Sequence, residues 1–291
     1  MTSNPEPTRE QVPGLLLHLS APLQSWGQRS HYNERDTAAF PTRSGVLGLL
    51  SSALGRARGA SIDDLTQLSL TVRVDRPGHL LRDLHTVGGG LPAKETVTTA
   101  EGKKRGIKQA TLLSHRYYLQ DAAFTVAITG TTDHSDLIRA CAHALEAPTW
   151  APYLGRRSCP PTGPFFLGHT HNPWWHLTHL PLHRAAPAAT HTAGHAHVLF
   201  YGDAPLDNRL ATIIEDRFDT HAANGADPIG EIDDDPRTFH THHRSYRTRP
   251  LFQRELQMGR RQCGGLGRHY LEAIGTYLSE YRTTEHGRIS P

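Results

Sequence analysis

The residues best placed to bind an anion form a short polar run, Thr42-Arg43-Ser44-Gly45, at the start of an apolar stretch with helical spacing. Thr42 is a good N-cap, Arg43 and Ser44 carry hydrogen-bond donors, and Gly45 and Gly48 leave backbone uncovered. Because the first N–H groups of a helix have no partner within it, they can bind an RNA phosphate. A capped helix that packs closely on a sheet through its glycines explains the same residues equally well.

A second candidate site is the glycine- and lysine-rich insertion at residues 87–110. Its cations are Lys94, Lys103, Lys104, Arg105 and Lys108. A segment of this composition cannot form a core of its own. As a flexible basic hairpin, it can instead follow a phosphate backbone, where each neutralised phosphate releases counterions. The alternative is a solvated surface loop.

Two further arginine motifs have the donors and aromatic faces that nucleic acids need. Arg156 and Arg157 lie in a proline-constrained loop and suit phosphate or base edges. A structural ion pair with Asp36 or Asp83 is the alternative for that loop. Residues 244–252 alternate cations with aromatics, a pattern typical of single-stranded RNA binding and also of an edge strand kept soluble by arginines.

Few residues point to a catalytic centre. Metal-free RNA cleavage needs a general base, a general acid and a cation, which Tyr32, His115 and Lys108 could supply in principle. One histidine among 21 is weak evidence for such a set. We therefore predict no catalytic residues and no enzyme activity.

Neither a metal site nor a cofactor is predicted. The His-x-His groups are His169 and His171, His195 and His197, and His240, His242 and His243. They lie in Ala-, Pro- and Thr-rich sequence without the fixed ligand spacing of zinc sites, and compositional drift explains them. The three cysteines are too widely spaced for a disulfide framework.

Composition favours a cytoplasmic protein with a polyanionic partner. The 291 residues can bury a full core, and the formal net charge of +3 is mildly basic. The first 13 residues have no apolar signal region, and no segment approaches the length of apolar sequence that spans a membrane. We expect neither export nor membrane insertion.

Apolar periodicity predicts an α+β domain in the order strand, helix, strand, strand, helix, strand. This is the ferredoxin-like plan, which also underlies the RNA recognition motif. Residues 112–119 and 122–129 are predicted to pair across a tight turn at 120–121. The predicted elements are strand 14–20, helix 42–56, strand 68–75, strands 112–119 and 122–129, helix 135–146 and strand 165–168.

The predicted domain organisation divides the chain at a change of composition after residue 168. Residues 1–169 are predicted to form one domain, with an insertion at about 76–110. Residues 170–196 are predicted to be a linker, and residues 197–291 a small β-rich C-terminal unit. Within that unit we expect a strand at 197–201, a helix at 207–218, an acidic loop at 231–235 and a tail helix at 270–281.

Several ordered strings resemble the CasD family, the subunit of the type I-E CRISPR surveillance complex Cascade that holds the 5′ end of the guide RNA. The resemblance covers roughly the first 170 residues and recurs weakly near 244–252. It implies the ferredoxin-like fold of the repeat-associated CRISPR proteins. The strings are LLLHLSAPLQSWG (15–27), FPTRSGVLGLL (40–50), LRDLHTV (81–87), YLQDAAFTVA (118–127) and YLGRRSCP (153–160).

The resemblance also implies partners and site residues. The RNA-binding domain, residues 1–169, would cap the 5′ handle of the crRNA, and the insertion at about 76–110 would be a thumb hairpin that contacts a CasC-type backbone subunit. The chain would also offer a surface to a CasA-type large subunit. It would meet target DNA only through the assembled complex. The implied RNA-binding residues are Gln24, Trp26, Arg43, Ser44 and Gly45, then Arg82, His85, Lys108 and Arg116 at the thumb, and Arg156 and Arg157.

Two other functions stay open at this point. Subtype I-C relatives process the CRISPR repeat, so a metal-independent endoribonuclease is the first alternative, whereas the I-E branch leaves that step to CasE. The second is a general RNA-binding ferredoxin-like module unrelated to CRISPR.

Overall fold

The computed structural model describes residues 12–28, 33–90, 92, 94–99, 102–106, 110–188, 195–207, 210, 225–240 and 243–281. Its strands are β1 (Gly14–Ser20), β2 (Leu23–Gln24), β3 (Glu34–Arg35), β4 (Ser69–Arg76), β5 (His79–Val87), β6 (Leu112–Gln120), β7 (Ala123–Thr129), β8 (Phe166–Thr170), β9 (Ala196–Gly202), β10 (Pro228–Thr238) and β11 (Ser245–Met258). Its α-helices are α1 (Arg43–Ala53), α2 (Ser135–Glu146), α3 (Pro173–His179) and α4 (Arg268–Tyr281).

A seven-stranded antiparallel sheet, in the order β10-β11-β9-β4-β7-β1-β8, forms the centre of the fold. Alternate side chains of each strand face opposite sides of such a sheet. Leu15, Leu17 and Leu19 accordingly join a core with α1 and α2, whereas Leu16 joins a second core with α3 and α4. The mixed α and β composition and the antiparallel pairing confirm the coarse fold class.

A second sheet is built on β6. β5 pairs with β6 along its whole length, and the short strands β2 and β3 also pair with β6. The predicted pairing of 112–119 with 122–129 is wrong, because β7 already pairs with β1 and β4 on its two edges. Residues 112–120 therefore belong to the inserted hairpin, which is longer than the predicted 76–110.

Local patterns located several other elements correctly. Thr42 caps α1 as predicted, its Oγ1 accepting a hydrogen bond from the Gly45 N–H at 3.4 Å. The tail helix at 270–281 is confirmed as α4, and the strand at 197–201 as β9. The acidic segment 231–235 is not a loop but lies within β10.

The region predicted to be a linker contains α3, whose Leu177 and the following Leu180 and Leu182 are fully buried. The division at 169 and 197 stays a prediction. Hydrogen bonds between β4 and β9 join the two predicted units within one sheet. The predicted helix 207–218 lies outside the described residues, apart from 207 and 210.

A buried arginine holds the loop after α3 against the sheet. Arg73 on β4 pairs with Asp75 at 2.6 Å, and both side chains are fully buried. The Arg73 guanidinium also donates to the carbonyls of Leu177, Leu180 and Pro181. Carbonyls at the end of a helix otherwise need solvent or a cap, so Arg73 supplies that cap from the sheet.

Within the described residues, none of the helices combines the length and the apolar character that crossing a bilayer requires.

Beside Arg73, two histidines pack under α4. His18 Nε2 lies 3.0 Å from His183 Nδ1, and the Tyr270 ring stacks on His183 with centroids 4.0 Å apart. Burial lowers the pKa of each histidine from 6.5 to about 4. Asp75 opposes this shift in both groups, and Arg76 adds to it.

We predict that this pair makes folding stability fall in mild acid. The unfolded chain binds protons on both histidines as the pH drops from about 6.5 to about 4, whereas the native chain does not, so the stability present above pH 6.5 is lost through that window. His18 alone would contribute roughly 3 kcal/mol across the full window. Urea unfolding at pH 7 and pH 5 measures the loss. His183→Gln should reduce it, while His79→Gln, which changes an exposed histidine on β5, should leave it unchanged. Equal pH dependence in all three proteins would contradict the prediction.

Candidate nucleic-acid interface

A groove of about 790 Å³ lies along α1. We call it the α1 groove. It brings together segments that are distant in sequence: α1 itself, the loop after it, the loop after α2, and the two strands that meet at the β10–β11 turn. Its lining residues are Ser44, Gly45, Gly48, Leu49, Ser51, Ser52, Arg56, Ala57, Arg58, Ala60, Ile62, Trp150, Ala151, Pro152, Tyr153, Gly155, Arg157, Pro160, Phe239, Arg244 and Tyr246.

Three exposed arginines supply the positive charge of the α1 groove. Arg58, Arg157 and Arg244 have no hydrogen-bond or ion-pair partner among the residues that the structure describes. Arg56 differs, because Asp64 binds its guanidinium through both carboxylate oxygens, at 2.6 and 2.5 Å. This pairing raises the pKa of Arg56 and lowers that of Asp64. The three unpaired guanidinium groups are free to bind phosphates.

Aromatic side chains provide the second property of the groove. Trp150 is 47% exposed and Tyr246 is 39% exposed, although both are large apolar rings. Tyr153 and Phe239 also line the groove. Exposed aromatic rings beside arginines are the combination on which unpaired nucleobases stack while their phosphates are neutralised. The α1 groove can therefore hold single-stranded nucleic acid.

The N-terminus of α1 does not offer an open anion site. The Arg43 N–H donates to Asp234 Oδ2 at 2.7 Å, so a carboxylate of the chain occupies that position. The Arg43 guanidinium donates to Asp235 at 2.9 Å, to Asp203 at 2.5 Å, and to the carbonyls of Leu68 and Thr66. Arg43 is buried. Its predicted role as an RNA donor is therefore replaced by a structural one.

Gln24 and Trp26 are also part of the core. The Trp26 Nε1–H donates to Gln24 Oε1 at 3.0 Å, and Gln24 Nε2 donates to the carbonyls of Leu19 and Ala122. A Cβ on Gly45 would lie 2.7 Å from Trp26 Cε3, so that glycine makes room for the indole ring. Both side chains are buried and have their polar groups satisfied inside the protein, and their predicted contact with RNA stays a prediction. Gly45 and Ser44 do line the α1 groove.

The predicted thumb residues lie on the β5–β6 hairpin. Arg82 Nε donates to His115 Nδ1 at 3.2 Å, and His85 Nε2 lies 2.5 Å from Asp83 Oδ2. Arg116 Nε donates weakly to Ser114 Oγ at 3.3 Å. Lys108 lies outside the described residues, as does Tyr32. Arg82 and His115 share one face of the hairpin, apart from His85 and Arg116 on the other.

The same hairpin exposes leucines that the sequence analysis did not identify. Leu80 is 65% exposed, Leu84 56% and Leu113 53%. They occupy the face that carries Arg82, because Leu84 is paired with His115 and Leu113 with Thr86. A contiguous exposed apolar face of this kind is typical of a surface that binds another protein. The signal that could have revealed it is the spacing of Leu80, Leu81 and Leu84, which puts apolar side chains on both faces of one strand.

Arg156 and Arg157 point to different places. The Arg156 guanidinium lies 4.5 Å from the centre of the Tyr118 ring, and its Nη2 donates to the Arg35 carbonyl at 2.8 Å. These described partners replace the carboxylates of Asp36 and Asp83 that were considered as alternatives. Arg157 is exposed and lines the α1 groove. Of the two, Arg157 has the geometry of a phosphate ligand.

The motif at 244–252 was identified from sequence, and its interpretation as an edge strand stays open. Residues 245–252 pair with β10, whereas β9 pairs with residues 252–258, so most of the motif has a strand on one side only among the described residues. Arg244, just before β11, and Tyr246, at the start of β11, line the α1 groove. Arg58 and Trp150 were missed, although Trp150 lies only three residues before Tyr153, where the YLGRRSCP string begins. Among the described residues, no group of three or more potential ligands could hold a metal ion.

Comparisons with known proteins agree on one family. Residues 14–252 match the family described as CRISPR-associated protein (Cas_Cas5). The chain is 42% identical over 158 residues to the CRISPR system Cascade subunit CasD of Escherichia coli (strain K12), an alignment that covers 53% of this chain and 70% of that protein.

Two solved structures resemble the fold. One chain of a structure titled "CRISPR RNA-guided surveillance complex" superposes with a TM-score of 0.72 at 36% identity, covering 91% of this chain and 98% of that one. A second, titled "Crystal structure of Cas protein", gives a TM-score of 0.54 at 28% identity, covering 87% of this chain and 98% of that one.

Arg43 and Arg157 should respond differently to the same charge reversal. Arg43→Glu puts a fourth carboxylate among Asp203, Asp234 and Asp235, and we expect it to unfold the protein or to lower its free energy of unfolding by at least the 3–5 kcal/mol typical of a broken buried ion pair. Arg157→Glu should unfold at the wild-type temperature. Thermal and urea unfolding compare the two. An Arg43→Glu protein with normal stability would restore the helix N-terminus as a candidate RNA site.

Proposed function

The chain belongs to the family of CRISPR-associated Cas5 proteins, and we propose that it is a type I-E Cascade subunit whose α1 groove holds the 5′ handle of the crRNA. The observation that carries the proposal is the convergence in one groove of three unpaired arginines and exposed aromatic rings. The relatives support the setting. One of them is named a Cascade subunit, and another comes from an RNA-guided surveillance complex.

The ferredoxin-like interpretation of the core is part of this proposal. β4, β7, β1 and β8 are consecutive in the large sheet, and α1 and α2 pack on the same side of it. That arrangement of strands and helices supports a ferredoxin-like unit extended by β9, β11 and β10 on the β4 side. The division into 1–169, 170–196 and 197–291 stays a prediction, since β4 and β9 pair across it within one sheet.

We propose that the β5–β6 hairpin is the thumb, and that it contacts both RNA and the adjacent subunit. Its exposed leucines suit an apolar surface on a CasC-type backbone subunit. On the same face, Arg82 adds a cation, so RNA and protein can meet there. A CasA-type large subunit and target DNA would be reached only through the assembled complex, in the cytoplasm and without a membrane.

A non-catalytic role is part of the proposal. The described candidate of the predicted acid–base set, His115, lies in β6 beside Arg82. The three described cysteines are free thiols, and burial raises the pKa of each, that of Cys141 to about 12, so none is a ready nucleophile. A subunit that binds the handle needs no such group.

We predict that the purified chain does not cut repeat RNA. A labelled RNA copied from the repeat of the host's own CRISPR array should remain intact with and without EDTA. His115→Ala is the control for any background cleavage, since a contaminating nuclease is indifferent to it. A single cut at the base of the repeat hairpin that disappears in His115→Ala would make the endoribonuclease alternative correct.

RNA binding should depend on the α1 groove. The double variant Arg157→Glu with Arg244→Glu should weaken binding of the repeat-derived single strand at least tenfold. The slope of log K against log salt should also fall by about 0.7 for each phosphate that the variant no longer neutralises. Trp150→Ala should cost about 1–3 kcal/mol if a base stacks on the indole. Fluorescence anisotropy at several salt concentrations measures both effects.

Arg268→Glu is the matched control, because Arg268 is a highly exposed arginine on α4, which packs with the second core. Unchanged affinity in both groove variants would move the RNA site away from α1.

A further inference from the structure

Asp235 on β10 joins two arginines that are sequence neighbours of residues in different parts of the α1 groove. Its Oδ1 accepts from Arg43 Nε at 2.9 Å, and its Oδ2 accepts from Arg247 Nε at 2.7 Å. The Asp235 side chain is largely buried, so both oxygens are committed to these contacts. One carboxylate therefore links the start of α1 to the start of β11.

The two arginines adjoin residues that line the groove. Ser44 follows Arg43 and lines the groove from α1, and Tyr246 precedes Arg247 and lines it from β11. In the β10–β11 pairing, Asp235 is opposite Arg247 and Pro236 is opposite Tyr246. A shift of Asp235 would therefore displace Arg43 and Arg247, and with them the adjacent groove residues Ser44 and Tyr246.

The two ends of this link are not equally fixed. Arg43 is held by Asp203 and by the Leu68 and Thr66 carbonyls, in addition to Asp235. Arg247 is about half exposed, and Asp235 is its described ion-pair partner. Through this carboxylate, the firmly held Arg43 side chain therefore restrains the start of β11, where Arg244 and Tyr246 lie.

We propose that Asp235 is a positioning residue for RNA binding, which holds the Arg244–Tyr246 segment at its working distance from α1. The proposal rests on the proposed function, since it assumes that the α1 groove binds RNA. Under this proposal, an acidic residue strengthens the binding of a polyanion, the RNA. Asp235 acts through Arg43 and Arg247 and does not itself touch RNA.

This proposal reverses the sign that simple electrostatics gives. A carboxylate near a polyanion lowers its affinity, so Asp235→Asn should leave RNA binding unchanged or tighter if only charge mattered. Asn keeps the shape of the side chain but weakens both arginine contacts, because charge-assisted hydrogen bonds are stronger than neutral ones. If positioning dominates, Asp235→Asn should weaken binding.

The test measures the affinity of the fluorescein-labelled repeat-derived RNA for the full chain at several salt concentrations. Asp235→Asn should raise Kd at least tenfold with an unchanged salt slope, because the same phosphates stay neutralised. Asp233→Asn is the matched control on the same strand. Asp233 is exposed and bonded to Thr248, so its replacement should leave Kd unchanged or lower it. A stability control, Ile274→Val in α4, should bind RNA normally despite a lowered unfolding temperature.

Binding by Asp235→Asn that equals or exceeds that of the wild type would overturn the proposal. If Asp235→Asn does not fold, Arg247→Met tests the other arm of the link without touching buried Arg43. Weaker binding with an unchanged salt slope supports positioning. Unchanged affinity would mean that Arg247 has no positioning role, and it would overturn the proposal. A salt slope reduced by about 0.7 would mean that Arg247 contacts a phosphate itself, and it would overturn the proposal as well. If the wild-type chain does not bind RNA, the proposed function fails instead.

Discussion

The fold depends on a cluster of buried and half-buried charges around Arg43. Moving a charge out of water costs several kcal/mol unless the charge is paired and hydrogen-bonded. Here each carboxylate binds at least one arginine, and Asp234 also accepts the first N–H of α1. Few other arrangements would satisfy all these groups, so the cluster fixes α1 against the C-terminal strands. Its members are Arg43, Arg247, Arg249, Asp203, Asp234 and Asp235.

The opposite face of the sheet uses the same device. Arg73 and Asp75 are fully buried, and Arg73 donates to carbonyls at and after the end of α3. The segment at and after α3 packs on the sheet through its buried leucines, Leu177, Leu180 and Leu182. The arginine adds directional contacts to this apolar packing, because its guanidinium bonds the carbonyls of the segment.

The sequence predicted what short-range patterns determine. An apolar run located β1, alternation located β4, helical spacing located α1, α2 and α4, and Thr42 was identified as a cap. What it could not supply were partners far along the chain. Arg43 binds Asp203, Asp234 and Asp235, which are 160 to 192 residues away. A donor-rich residue at a helix start has the same local sequence whether it binds RNA or a distant carboxylate. The pairing of β6 is likewise decided by which edges of β7 are already occupied.

The positive charge of the α1 groove and the fixed position of its aromatic rings follow from the way in which the acidic residues are paired. The chain as a whole carries 31 basic and 28 acidic residues, a balance too even to attract a polyanion strongly by itself. Near the groove, however, these acidic side chains are neutralised in ion pairs. Asp64 pairs with Arg56, and Asp235 pairs with Arg43 and Arg247. Arg58, Arg157 and Arg244 have no such partner within the described residues. Local neutralisation of the carboxylates therefore leaves the groove positive, and the rigid cluster beneath it keeps those arginines and aromatic rings in one place.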